Sequence, residues 1–210
     1  MDRSQISVII LCVILLAAYA VGALYNRRRA KSILTWITAG LSPLGKAGEF
    51  RWHSPLHSAA RLDVANVKAP FRTVQVLFVL EPRENLLVWL PRLLRGRRDE
   101  LILRADLRLM PLQEFEVGRR GSRGLKTYIE TQDEPYTTLP GNEHFDLAYR
   151  GKSDPEANAR LQAFLAKYPR AIMRLSLQRK SVHLMLRADL EALRKAPLDE
   201  FFDALRVWLR

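Results

Sequence analysis

The chain has 210 residues, 34 Lys and Arg against 22 Asp and Glu, and a formal net charge of +12. Such a basic balance suits anionic lipid headgroups, nucleic acid (ribosomal RNA included) or an acidic protein surface. Its single cysteine, Cys12, excludes an internal disulfide and any cysteine-based metal site.

Residues 6–25 (ISVIILCVILLAAYAVGALY) carry no charge, enough for a helix to cross a hydrocarbon layer of about 30 Å at about 1.5 Å per residue. Arg27, Arg28, Arg29 and Lys31 follow at once, while Asp2 and Arg3 are the only side-chain charges ahead. Basic residues stay on the cytoplasmic side. The expectation is therefore a short outer N-terminus (1–5), one transmembrane helix (6–25) and a cytoplasmic remainder, at the plasma or endoplasmic reticulum membrane. These four basic residues set topology and meet headgroups. A cleaved secretory signal is the rival reading, because Ala18-Tyr19-Ala20 has the small-x-small pattern of a cleavage site. The apolar run continues past it to Tyr25 and the basic cluster follows the span, which favours an uncleaved anchor. Ala17, Ala18, Gly22 and Ala23 put small residues at helix-packing spacing within the span, a pattern that ordinary anchors also show.

Ile33, Trp36, Ile37 and Leu41 fall at helical spacing, so residues 26–41 read as a basic amphipathic helix whose stripe packs on the domain. A linker is expected over 42–48 and an α+β domain over 49–210. Short strands are expected near 49–53 and 60–68, and a central strand, apolar on both faces toward its end, at 71–80. Residues 83–95 (RENLLVWLPRLLR) read as a helix with Leu86, Trp89, Leu90, Leu93 and Leu94 inward, kinked or divided at Pro91 and ended by Gly96. In 99–109, Leu101, Leu103, Ala105, Leu107 and Leu109 alternate with Ile102, Arg104, Asp106 and Arg108, the pattern of a strand with one dry and one wet face. Further strands are expected at 113–117, 125–131 and 145–149, with a glycine-rich basic turn at 118–124 and a polar loop at 132–143.

Ser153 and Glu156 form a capping-box pattern, with Pro155 in the first turn, ahead of a helix that buries Leu161, Phe164 and Leu165. A hairpin about QRKS (178–181) and a closing helix carrying Phe201, Phe202, Leu205 and Trp208 complete the chain. The expected fold is α+β: a mixed, mainly antiparallel sheet with helices on one face.

Catalytic signals are sparse. His53 and His57 are four apart, but Pro55 lies between them and no carboxylate or cysteine completes a site. His183 is expected on a wet face. Glu114 and Glu116 read as outward strand positions. No nucleophile elbow, Walker loop or dinucleotide fingerprint occurs, so no catalytic, cofactor or metal site is assigned. Two basic groups are candidate contacts for phosphate or an acidic surface. One is Arg92, Arg95, Arg97 and Arg98; the other is Arg119, Arg120, Arg123 and Lys126. Neither is interleaved with aromatics, so base stacking is not suggested.

The order of features resembles calumin, the coiled-coil-domain-containing subunit of the eukaryotic PAT intramembrane chaperone complex. A span and basic residues lead into a Trp-bearing helix (NRRRAKSILTWI), then a strand pair and LEPRENLLVWLPRLLRGRRDELILRADL (80–107). IMRLSLQRKSVHLML and a closing helix follow near the end. The chain lacks that family's acidic segment before the span and its basic coiled coil after the domain. The resemblance implies a non-enzymatic helper in membrane-protein biogenesis near a translocon, with a membrane-protein or ribosome partner. Two alternatives stand beside it: a structural or assembly subunit of a larger membrane complex, and a membrane-bound enzyme acting on lipid or nucleotide.

Overall fold

The computed structural model describes residues 2–54, 57–139 and 141–209; Pro55 and Pro140 lie outside them. The chain begins with one unbroken helix, α1 (Arg3–Gly40), of 38 residues, about 57 Å at 1.5 Å per residue. It is long and apolar enough to cross a membrane. Its two halves live in different surroundings. Val8, Ile9, Leu11, Val13 and Leu16 are exposed, whereas Ala30, Ile33 and Ile37 are buried in the domain core together with Leu41 and Leu44 just beyond the helix. Burying each of these larger side chains stabilises the fold by roughly 1.5–3 kcal/mol, so the second half of α1 is a structural element of the domain. The segment 42–48 holds a tight turn, with Gly45 N–H donating to Leu41 C=O, and the first residues of β1 (Lys46–Trp52), rather than a linker.

The strands that follow are β2 (Ala59–Ala65), β3 (Phe71–Val79), β4 (Glu100–Leu107), β5 (Gln113–Arg119), β6 (Thr137–Leu139), β7 (Phe145–Gly151), β8 (Ile172–Leu177) and β9 (Leu184–Asp189). They form one nine-stranded sheet in the order β1-β2-β3-β4-β9-β8-β5-β7-β6, antiparallel at every pairing. The other helices are α2 (Leu86–Leu94), α3 (Arg123–Glu130), α4 (Pro155–Lys167), α5 (Leu190–Leu193) and α6 (Leu198–Trp208). The architecture is the α+β class expected from the sequence.

The alternation in β4 is realised: Leu101, Leu103, Ala105 and Leu107 are buried. Together with Phe115, Leu175, Leu177, Leu184 and Leu186 they meet α1, α4 and α6 in one core. The Phe164 ring of α4 stacks on Trp208 of α6 at 5.8 Å between centroids, and Trp208 meets Phe115 of β5 at 6.4 Å. Asp154 caps α4 by accepting from the N–H groups of Glu156 and Ala157, in place of the Ser153 capping box read from the sequence.

Four local expectations change. Residues 123–130 form helix α3, because Leu125, Tyr128 and Ile129 recur at the i, i+3, i+4 spacing of one helix face. Leu125 settles against Gly118 of β5, where an added Cβ would stand 3.0 Å from the leucine Cβ. The loop expected over 132–143 contains β6. Leu109 lies beyond the end of β4 and is 82% exposed. Most consequentially, α2 accepts Pro91 within one continuous helix and buries none of its residues; Leu90, Leu93 and Leu94, expected inward, are exposed.

Candidate functional site

The strand registers bring separate basic segments to one end of the sheet. Val79 pairs with Glu100, Glu100 with Asp189, Ile172 with Ala188, Gly118 with Arg174, and Arg119 with Phe145. The connection holding Arg95, Arg97 and Arg98 enters β4 at this end, and Arg119, Arg120, Arg123 and Lys126 leave β5 at the same end. Here α1 also joins the domain. Two groups that the sequence separates therefore share one edge.

The junction is built around Asp99, a carboxylate with 1% exposure. It accepts from Arg29 Nε at 2.6 Å, from both terminal nitrogens of Arg83 at 2.9 and 3.1 Å, and from the Glu81 N–H at 2.8 Å. Arg29 reaches on to Glu191. Asn26 is fully buried on the same face of α1; it donates to Glu81 C=O at 3.0 Å and Glu84 Oε2 at 2.8 Å, and accepts from Arg83 at 3.2 Å. Tyr25 lies under the Arg83 guanidinium, 5.2 Å from the ring centre. One turn earlier, an added Cβ on Gly22 would stand 2.3 Å from Arg83 O, so only glycine lets residues 82–85 lie this close to the helix. Buried charges are tolerable only when paired this fully.

The sequence-derived candidates divide accordingly. Arg27, Arg28 and Lys31 are exposed, whereas Arg29 is committed to Asp99 and Glu191. Arg92 is half-buried against Glu81 at 2.8 Å, and Arg98 remains 64% exposed while touching Asp189 at 3.2 Å. Arg95 and Arg97 are exposed. In the second group Arg119 donates to Arg170 C=O at 2.7 Å, and Arg120, Arg123 and Lys126 are exposed. The glycine-rich turn is not an open phosphate cradle: Gly121 N–H is held by Asp146 at 2.8 Å and Arg120 N–H by His144 C=O. Of the small residues in the apolar segment, Gly22 is buried against the domain, Ala18 and Ala23 are half-buried, and Ala17 is exposed.

Sequence reasoning missed a second polar cluster. Glu114 and Glu116 are buried because α3 and the segment around β6 cover the outer face of β5. Glu116 accepts from the Ser176 hydroxyl, from Gln178 at 2.9 Å and from Arg174 at 3.3 Å. Glu114 takes Arg150 at 2.6 Å and the Arg179 N–H at 2.8 Å. The Tyr128 and Tyr136 hydroxyls sit beside these carboxylates, and burial followed by the Glu116 charge pushes both phenols above their ordinary range. Tyr128 on α3, Ser176 on β8 and Gln178 just past β8 give no sequence signal, because their convergence depends on which strands are neighbours. Each carboxylate is matched by an arginine, so the cluster sews the outer layer to the sheet.

Two of the four histidines make contacts that hold the fold. His57 meets the Trp52 ring edge-on at 4.4 Å. His183 is half-buried, not on a wet face: its Nδ1 accepts the Leu107 N–H at 3.0 Å and stands 3.7 Å from Asp106. Burial opposes the Asp106 charge, but donation from Ser181, Thr73 and the His183 N–H outweighs it and holds the carboxyl below its usual range. This pair pins the 178–183 turn to β3 and β4. Among the described residues no group of three or more His, Cys, Asp or Glu side chains is placed to hold a metal ion.

At the opposite end of the sheet, Leu109, Met110 and Leu112 are exposed beside a cavity of about 620 Å³ lined in part by Phe115, Leu177, Trp208 and Arg160. A comparison with known protein-family models finds no match for the chain, and a comparison with curated proteins finds none either.

Proposed function

We propose that this chain is a non-enzymatic, single-pass membrane protein whose basic cytoplasmic domain binds a membrane-protein or ribosome–translocon partner during membrane-protein biogenesis. The observation that carries this reading is the continuity of α1. One helix holds both the apolar segment and a buried core element, and the Asp99–Arg29–Arg83–Asn26 network locks the two together. A domain fixed in this way cannot swing on a tether. Its exposed basic residues, Arg27, Arg28, Lys31, Arg95, Arg97, Arg119, Arg120, Arg123 and Lys126, crowd the end where the apolar segment leaves it. They would face headgroups and anything bound at the membrane surface, with each basic residue near an anionic surface contributing about 1 kcal/mol. The positive-inside bias sets the N-terminus outside and the domain in the cytoplasm. The calumin resemblance supplies the biogenesis role.

Crosslinking of the tagged protein in native membranes, at low and high salt, tests this reading. Ribosomal and translocon proteins should be captured at low salt. High salt should release the ribosome, and Arg95→Ala with Arg97→Ala should weaken its capture roughly thirtyfold, if each basic residue contributes about 1 kcal/mol as at an anionic surface. Capture that is indifferent to both would contradict the basic surface. A second reading, a fixed subunit of a larger membrane complex, is favoured by the exposed Leu109, Met110 and Leu112 beside the far cavity. A constant set of membrane subunits surviving high salt would select it.

A further inference from the structure

Helix α2 has the wrong composition for its position in a water-facing domain. Its nine residues, LLVWLPRLL, contain one charge, Arg92, and are apolar on every side. A helix apolar all round belongs in a protein core or in lipid. Yet Leu87 is 77% exposed and Leu94 81%, and Val88, Leu90 and Leu93 are exposed as well.

Its location resolves the contradiction. Pro82, residues 84–88 and the α1 residues Leu15 and Tyr19 line one shared cleft, and the backbone of Arg83 and Glu84 lies against Gly22. Leu15, Tyr19, Gly22 and Asn26 form a single stripe on α1. Along the helix Tyr19 is about 10 Å and Leu15 about 16 Å on the apolar side of Asn26, at 1.5 Å per residue. If α1 spans a bilayer, α2 lies beside it within the hydrocarbon.

Polar backbone groups at that depth need internal partners, and the connection into α2 supplies several. Asn85 N–H donates to Pro82 C=O and Arg83 N–H to Glu81 C=O; the Asn85 side chain accepts from Val88 N–H at 3.2 Å. The charges of Arg83 and Glu84 are turned to Asp99 and Asn26. Pro91 brings no N–H needing a partner. At the exit, Arg95 and Arg97 are exposed and Arg98 remains 64% exposed. Nine residues cannot cross a bilayer, which takes about 20.

We infer that α2 is a second membrane-embedded segment: a short helix that dips into the leaflet facing the domain, beside α1, with Leu87, Leu90 and Leu94 against acyl chains and Arg95 and Arg97 at headgroup phosphates. This rests on the reading of α1 as a span. It makes the domain a two-point membrane contact, fixing its tilt as well as its distance.

The test uses the full chain with Cys12→Ala, reconstituted in phosphatidylcholine–phosphatidylglycerol vesicles. Single cysteines replacing Leu90 or Leu94 carry an environment-sensitive fluorophore. Leu16→Cys on α1 and Leu112→Cys at the far end serve as references. The inference expects blue-shifted emission at 90 and 94, quenched several-fold more by doxyl-labelled lipid than by aqueous iodide, as at position 16 and opposite to position 112. Iodide quenching at 90 and 94 with lipid quenching at 16 overturns the inference and leaves the span intact. Shielding of 90 and 94 from both quenchers means a second protein copy covers α2, which also overturns it. Iodide quenching at position 16 overturns the span itself and the inference with it.

Discussion

Asp99 and Asp106 stand at opposite ends of the same stretch of chain, one entering β4 and one near its end, and they are held by different means. Asp99 is surrounded by arginines and joins α1 to the connection that carries α2. Asp106 is held by the neutral donors Ser181 and Thr73 and by the His183 N–H. The first end fixes one long element against another with charge; the second pins a surface turn. The exposed apolar residues differ in the same way. Those of α2 lie beside the apolar half of α1 and next to basic residues, whereas Leu109, Met110 and Leu112 lie next to an open cavity. Exposure alone does not identify a surface: its neighbours decide whether lipid or protein suits it.

The largest effect that would break this contrast is at Asp99. Asp99→Ala leaves Arg29 and Arg83 without their shared carboxylate and should cost about 3–5 kcal/mol, read by denaturation of the reconstituted protein. An unchanged midpoint would mean the junction is not held by charge. Gly22→Val comes next. Its Cβ would meet Arg83 O, so residues 82–85 must retreat at about 1–3 kcal/mol. A Tyr19→Cys, Leu87→Cys crosslink should form readily in the parent and poorly in this variant.

How far this contrast was legible in the sequence differs by residue. The alternation of Leu101, Leu103, Ala105 and Leu107 reports one buried face directly, because a strand's side-chain period needs no knowledge of its neighbours. The stripe Ile33, Ile37, Leu41 was equally plain. Glu114 and Glu116 were misjudged because the covering of a sheet's second face is decided by α3 and β6, elements whose own patterns were obscured by glycine, arginine and proline. For α2 the uniform apolarity is visible and suggests burial against the domain, and only the structure shows that none of its residues is buried.

At the far end the effects should be smaller. Asp106 has its carboxyl held below the usual range, so its contribution is present above the unfolded value of about 3.9 and lost as pH falls through the folded one. Asp106→Asn should therefore lower stability at neutral pH, flatten the acid limb of the stability curve and leave the most acidic end little changed. A parallel shift at all pH values would show a purely steric role. Smallest of all, Leu109→Ser with Leu112→Ser should alter stability by less than about 0.5 kcal/mol, because both side chains are exposed. A larger loss would mean the loop packs on the domain in solution.

On this reading α1 carries the domain as one rigid body with its apolar segment. Spin labels at Leu16→Cys and Arg104→Cys, in the Cys12→Ala chain held in lipid nanodiscs, measure it most directly. Leu16 lies in the exposed apolar half of α1, and Arg104 is exposed on the outer face of β4. Pulsed electron–electron resonance should give a single narrow distance distribution that broadens in Asp99→Ala. A broad distribution in the parent would place a flexible joint between span and domain and contradict the account.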